Sequence, residues 1–188
     1  MINLPRKILY SPATLFVAAA RVSASLLLIF NPFWGIIFHF ITDLFDGAFL
    51  NLTLKLSVVQ YHKIDKVLDE FGSVCMVISG WRFGFFWPLV ALFLFRLIGS
   101  YLFFKTEKRT YFVLFPNFLE PIYFIAVSLR SIGIIFPPQG WVFWLAIFAA
   151  QAFRDFWIHF LVPKYIYWLL EDTLFAKVFL AKENARTS

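Results

Sequence analysis

Apolar residues in this chain come in runs about twenty long, one after another, separated by short polar breaks. That is the length an α-helix needs to cross ~30 Å of hydrocarbon. Six such runs are read, over 12–30, 33–54, 61–81, 85–104, 118–136 and 140–162. Composition agrees, because only 15% of the 188 residues are charged and 61% are hydrophobic, whereas an ordinary soluble domain carries about 25% charged residues. A core of this size cannot hide 27 Phe and 7 Trp, so the surplus must face lipid. A lone cysteine, Cys75, excludes a disulfide-stapled fold. The expected fold class is all-α integral membrane: a six-helix transmembrane bundle forming one domain over 1–188, with interfacial helices at its termini. Any active site must then be built from the spans.

The breaks set the chain's course. Asn31-Pro32 and Pro137-Pro138-Gln139-Gly140 read as tight turns between antiparallel neighbours. Arg6-Lys7 and Val22-Ser23-Ala24 imitate a leader peptide, but the apolar run continues to Phe30, too long for a signal core, and reads as a retained span. Ile2, Leu4, Ile8 and Leu9 around Arg6 and Lys7 suit a helix in the head-group plane. So does 164–183, where Ile166, Leu169, Leu170, Leu174 and Val178 recur opposite Glu171, Asp172 and Lys177. Its alternative is an extension of the sixth span.

The net charge of +6 does not point to nucleic acid, since the basic residues form no single block interleaved with aromatics. Arg6, Lys7, Lys55, Lys63, Lys66, Lys105, Lys108, Arg109 and those from Lys164 onward fall on one side of a six-span arrangement, and Arg82 on the other. By the positive-inside rule both termini are cytoplasmic, in the cell (inner) membrane, against anionic lipid head groups.

Charged side chains inside apolar spans cost about 2.5–3.5 kcal/mol each on insertion scales, which makes them functional candidates. Here they include Arg21, Asp43, Asp46, Asp65, Asp69, Arg96, Glu120, Arg130, Arg154 and Asp155. Asp43 and Asp46 share a helix face with His39 and Leu50, and Asp65 and Asp69 share one with Tyr61 and Gly72. The two pairs lie at similar depth on adjacent antiparallel spans. Four ionised carboxylates at such spacing would repel, and two divalent cations would cancel the charge and suit hard oxygen ligands. Two such ions are a common clamp for a phosphoryl group. Any one acid alone is better explained by pairing with Arg21, Arg96, Arg130 or Arg154, whereas four at this spacing on adjacent antiparallel spans favour a metal site. Gly47 removes a side chain where a bulky ligand would approach the backbone. His39 reads as a core histidine bonded to a backbone carbonyl.

The stretch Asp43-Leu-Phe-Asp46-Gly47-Ala-Phe-Leu50-Asn51, nine residues, then Tyr61-His-Lys-Ile-Asp65-Lys-Val-Leu-Asp69 resembles the signature of the CDP-alcohol phosphatidyltransferases, D-x2-D-G-x2-A-R followed by G-x3-D-x3-D. The four acids and the first glycine match in register. Leu50-Asn51 replaces the A-R pair, and Tyr61 the second glycine. Arg21 is similar to the family's first-span arginine, and Glu107-Lys108-Arg109-Thr110 loosely to its G-K-x-x-T turn. The resemblance implies a cytoplasm-facing transferase that moves a phosphatidyl group from CDP-diacylglycerol to a small alcohol or alcohol phosphate and releases CMP. It implies two Mg²⁺ or Mn²⁺ ions held by Asp43, Asp46, Asp65 and Asp69, with Asp69 also the general base. Asp46 and Gly47 would contact the nucleotide, and Asn51 stands where the family has an arginine. Family members are commonly homodimers. Lys108, Arg130 and Arg154 would suit the phosphate of an acceptor, or else pair with Glu120 and Asp155. Asn51 lacks the cationic fork of an arginine. Two outcomes therefore stay open: a donor site rebuilt around Lys55, Lys63 or Lys108, or a relative that binds lipid or a partner without chemistry. A cation transporter is a third class, disfavoured by the lack of a matching pair of Gly/Pro-interrupted spans.

Overall fold

A computed structural model describes residues 4–133 and 141–156. Their regular elements are helices: α1 (Arg6–Leu9), α2 (Pro12–Phe30), α3 (Pro32–Leu54), α4 (Val58–Gly80), a 3-10 turn (Trp81–Phe83), α5 (Phe86–Thr106), α6 (Thr110–Leu114), α7 (Leu119–Ser131) and α8 (Trp141–Phe156). Three of them, α2, α3 and α5, are long and apolar enough to cross a membrane by length and composition. α4 matches α3 in length, but Lys63, Asp65, Lys66, Asp69 and Glu70 crowd its first half.

Local chemistry explains the helix ends. Ser11 caps α2 by accepting from the Thr14 N–H at 3.1 Å, and Pro12 stands at the first helical position, where no N–H is needed. Asn31 turns α2 into α3: its N–H donates to Leu27 O at 2.8 Å, while its own carbonyl accepts from Gly35 N at 2.8 Å. Gly35 is demanded by contact, because a Cβ there would lie 2.5 Å from the backbone nitrogen of Leu28. The third apolar run was expected from 61, yet α4 begins at Val58. Ser57 and Gln60 close a capping box, with Gln60 N donating to Ser57 Oγ at 3.2 Å and Ser57 N to Gln60 Oε1 at 3.0 Å. Glu107 ends α5 in the left-handed region (φ 59°), its N–H donating to Phe103 O at 2.7 Å.

The fifth run departs furthest from expectation. Its helix is the 13-residue α7, about 20 Å long at 1.5 Å per residue and short of a full crossing. Ile132 caps it and Gly133 turns the backbone at φ 79°. The sixth run forms α8 as far as Phe156. The end of that span, His159, the turn at 137–140, the helix read over 164–183 and the basic residues from Lys164 lie outside the described residues, as do the side chains of Asn51 and Asp155.

α2 packs along α3 and α4, α4 also meets α5, and α7 lies against α3, α4 and α5. Two apolar clusters result. One gathers Leu28, Ile36, Met76, Leu89, Ile122 and Tyr123, and the other Leu4, Val17, Leu50, Ile64 and Leu68. Between them runs a layer of buried polar groups that includes Arg21, His39, Asp46, Asp65, Asp69 and Arg96. Large apolar side chains such as Phe16, Phe45, Leu44, Trp87 and Leu94 face outward, an exposure that marks a lipid or partner surface.

Candidate functional site

The polar layer is assembled by helical register. On α3 the residues Ile36, His39, Asp43, Asp46 and Leu50 recur at intervals of three and four, so one face passes from apolar to acidic and back. α4 turns Asp65 and Asp69 toward that face, and α2 inserts Arg21 between the two helices. The Arg21 side chain is 1% exposed. Its guanidinium donates to Asp43 and to Asp69, lies 3.6 Å from Asp46 Oδ2 through Nε, and 4.0 Å from Asp65 Oδ1 through Nη2. The sequence-predicted quartet therefore converges, around a buried arginine.

Its members are not equivalent. Asp43, Asp46 and Asp65 each offer a carboxylate oxygen, all within 4.8 Å of one another. Asp69 stands apart, with both oxygens taken by cations: Oδ1 accepts from Arg21, and Oδ2 from Lys66 Nζ at 2.5 Å and Arg96 Nη2 at 2.8 Å. Arg96 then extends the network, donating through Nε to Glu70 Oε1 at 3.3 Å and through Nη1 to Glu120 Oε1 at 2.9 Å. Ser100 Oγ donates to Glu70 Oε1 at 2.6 Å. Lys66 also lies 3.1 Å from Asp65 Oδ2.

Charge balance decides what the site can hold. Carboxylate oxygens within 4.8 Å of one another repel by at least about 3 kcal/mol per pair at an effective dielectric of about 20. Arg21 offsets part of that, and three hard oxygens at this separation form a donor set for a divalent cation. A buried oxygen with no hydrogen-bond partner, Asp46 Oδ2, supports the same fit. A cavity of about 240 Å³ opens onto the cluster, bordered by Asp43, Asp65, Lys66, Asp69, Arg96 and Glu120.

Gly47 does leave room, as its lack of a side chain suggests, but the occupant is Tyr61 of the same chain. A Cβ on Gly47 would come 2.8 Å from the Tyr61 hydroxyl oxygen, and that hydroxyl donates to Asp46 Oδ1 at 3.0 Å. His39 also differs from expectation. Its Nδ1 lies 3.3 Å from Ser25 Oγ, which itself donates to Arg21 O at 2.7 Å, and its ring fills the space over Gly72.

The remaining candidates scatter. Arg130 does not join the site: it lies ten residues, roughly 15 Å, along α7 from Glu120 and stacks over the Phe83 ring at 5.2 Å. Lys108 is exposed on the α5–α6 connection. Arg154 borders the cavity and donates to Gln151 Oε1 at 3.3 Å. Glu120 pairs with Arg96. Asn51 lies on α3 one turn beyond Gly47. Lys63 and Lys66, counted as flank charges in the sequence, are inside the protein, Lys63 buried against Glu107 at 2.5 Å. Lys66 and Glu70 were missed as site residues. Their signal was available: Lys66 is one residue from Asp65 and three from Asp69, and Glu70 adjoins Asp69, so both stand beside the predicted acids on α4. Comparison with family models, curated proteins and solved structures finds no match.

Proposed function

We propose that this chain is a membrane-embedded phosphotransferase of the CDP-alcohol phosphatidyltransferase kind. The observation that carries the reading is the approach of the Asp43, Asp46 and Asp65 carboxylate oxygens to within 4.8 Å of one another on two facing helices. Those three residues would hold divalent cations, Mg²⁺ or Mn²⁺, whose chemistry there is to neutralise and polarise the diphosphate of a bound donor.

The chain's own residues supply the rest. The acceptor hydroxyl oxygen forms a bond to the phosphorus that carries the lipid. The bond from that phosphorus to the CMP oxygen breaks, and CMP leaves. Asp69 takes the acceptor's proton on Oδ1, which requires Arg21 to release that oxygen, since Oδ2 is held by both Lys66 and Arg96. Arg21 and Lys66 are long enough to turn from Asp69 toward substrate phosphate, a replacement for the motif arginine that Asn51 cannot provide.

In this reading α4, α7 and α8 join α2, α3 and α5 as a six-span bundle in the cell membrane, with cytoplasmic termini, and α7 itself covers about 20 Å of its crossing. Two distributions support it. Trp34, Trp81 and Trp87, exposed and close to helix starts or turns, gather where α2 meets α3 and α4 meets α5, as interfacial aromatics do. Lys55, Lys105 and Lys108 occupy the opposite ends. Phe-rich outer faces would contact acyl chains.

A second reading rests on Tyr61, whose phenol fills the space over Gly47: a relative that binds a cation and lipid without turnover. One assay separates them. Purified full chain in nanodiscs is given CDP-diacylglycerol, a panel of alcohols and alcohol phosphates, and Mg²⁺ or Mn²⁺, and CMP release is followed. The transferase releases CMP, and chelator or Asp69→Asn abolishes it. Folded protein that releases none across the panel overturns the transferase reading.

A further inference from the structure

We propose that Tyr61 is a positioning residue of the divalent-cation site and acts through Asp46. The inference rests on reading Asp43, Asp46 and Asp65 as cation ligands, and concerns how one of them is aimed.

Asp46 is 3% exposed, and its two oxygens have different surroundings. Oδ1 accepts from the Tyr61 hydroxyl at 3.0 Å. Oδ2 has no hydrogen-bond partner and lies 3.6 Å from Arg21 Nε, outside hydrogen-bond reach. A carboxylate turns about its last torsion with little resistance, so a ligand oxygen needs something to hold the group. Groups that bond the far side of a metal ligand do this, and losing one commonly costs 10–100-fold in metal affinity. A phenol suits the task here because it is neutral. It holds Asp46 without adding a further positive charge to a site where the Arg21 guanidinium already lies 3.6 Å from Oδ2.

The phenol is itself held on a rigid platform. The Tyr61 N–H donates to Ser57 O at 2.9 Å, in the first turn of α4, which the Ser57–Gln60 capping box fixes. On its other side the hydroxyl oxygen would lie 2.8 Å from a Cβ at Gly47. A side chain at 47 would require the Tyr61 hydroxyl to shift from the position in which it bonds Asp46. Gly47 and Tyr61 thus form a matched pair across α3 and α4: the glycine admits the ring, and the ring aims the acid beside the glycine.

The test is a Mn²⁺ titration of the detergent-solubilised full chain, read by the loss of the free-ion EPR signal. The expected result is saturable binding to wild type and about 10-fold or greater weakening in Tyr61→Phe, which removes only the hydroxyl. Gly47→Ala should weaken binding as well, and do so only while Tyr61 is present, so that adding Gly47→Ala to Tyr61→Ala changes nothing further. In an Asp46→Ala background, Tyr61→Phe should have no additional effect, which a general loss of packing would not reproduce. Wild-type affinity in monodisperse Tyr61→Phe overturns this inference and leaves the cation site standing. Absence of saturable Mn²⁺ binding in wild type overturns the cation site and this inference together. Gly47→Ala with unchanged affinity gives a second, independent refutation of the Tyr61 role.

Discussion

Arg96 Nη2 on α5 donates to Asp69 Oδ2 on α4 at 2.8 Å, with the arginine side chain 5% exposed. The same guanidinium also serves Glu70 and Glu120, so one cation ties α4, α5 and α7 together through three carboxylates. A salt-bridge network of this kind is asymmetric. Its net worth against an apolar replacement is small, but removing one partner leaves buried charge uncompensated.

Arg96→Met should therefore destabilise the protein by about 3–5 kcal/mol, and Glu120→Gln added to it should restore part of the loss. Arg130→Ala, which removes only an exposed cation lying over Phe83, should cost no more than about 1 kcal/mol. Reversible unfolding in mixed SDS micelles gives both numbers. Equal losses would mean that Arg96 is not the tie between these helices.

Gly35 and Gly72 both admit close neighbours, but of different kinds. A Cβ at Gly35 would meet the Leu28 backbone at 2.5 Å, and one at Gly72 would meet the His39 ring at 2.5 Å. Each alanine substitution should cost about 1–3 kcal/mol. Gly72→Ala should be rescued by His39→Ala, since a side chain is what stands in the way. Gly35→Ala should not be rescued by Leu28→Ala, because the clash is with backbone and α2 and α3 must separate. Thermal melts of the four variants decide it, and rescue at Gly35 would contradict the close approach of the two helices.

If Asp43, Asp46 and Asp65 hold a divalent cation, Mg²⁺ must stabilise the folded chain by mass action, by about 2.7 kcal/mol at 100 times its dissociation constant. The melting temperature should rise with Mg²⁺, fall back with chelator, and not respond to Mg²⁺ in Asp46→Asn. A rise of the same size in Asp46→Asn would place the ion elsewhere.

The amino-acid order alone determined that this chain is helical, and where its long apolar helices begin and end: α2 follows its run from Pro12 to Phe30, and α3 and α5 fall within two residues of theirs. Helical periodicity and chain length are local properties, readable one segment at a time. The pairing of Asp43 with Asp46, and of Asp65 with Asp69, on single faces was legible for the same reason. Only the tertiary structure decided that Arg21 stands among those acids, that Asp69 is surrounded by three cations while its neighbours are not, and that Tyr61 fills the space Gly47 leaves. Each of these joins residues on different helices, and helix rotation and depth are set by packing contacts that no single segment encodes. The short α7 has a local cause instead: Gly133 at φ 79° meets no neighbouring atoms among the described residues and supplies the left-handed turn at which a helix stops, a signal that hydropathy passes over.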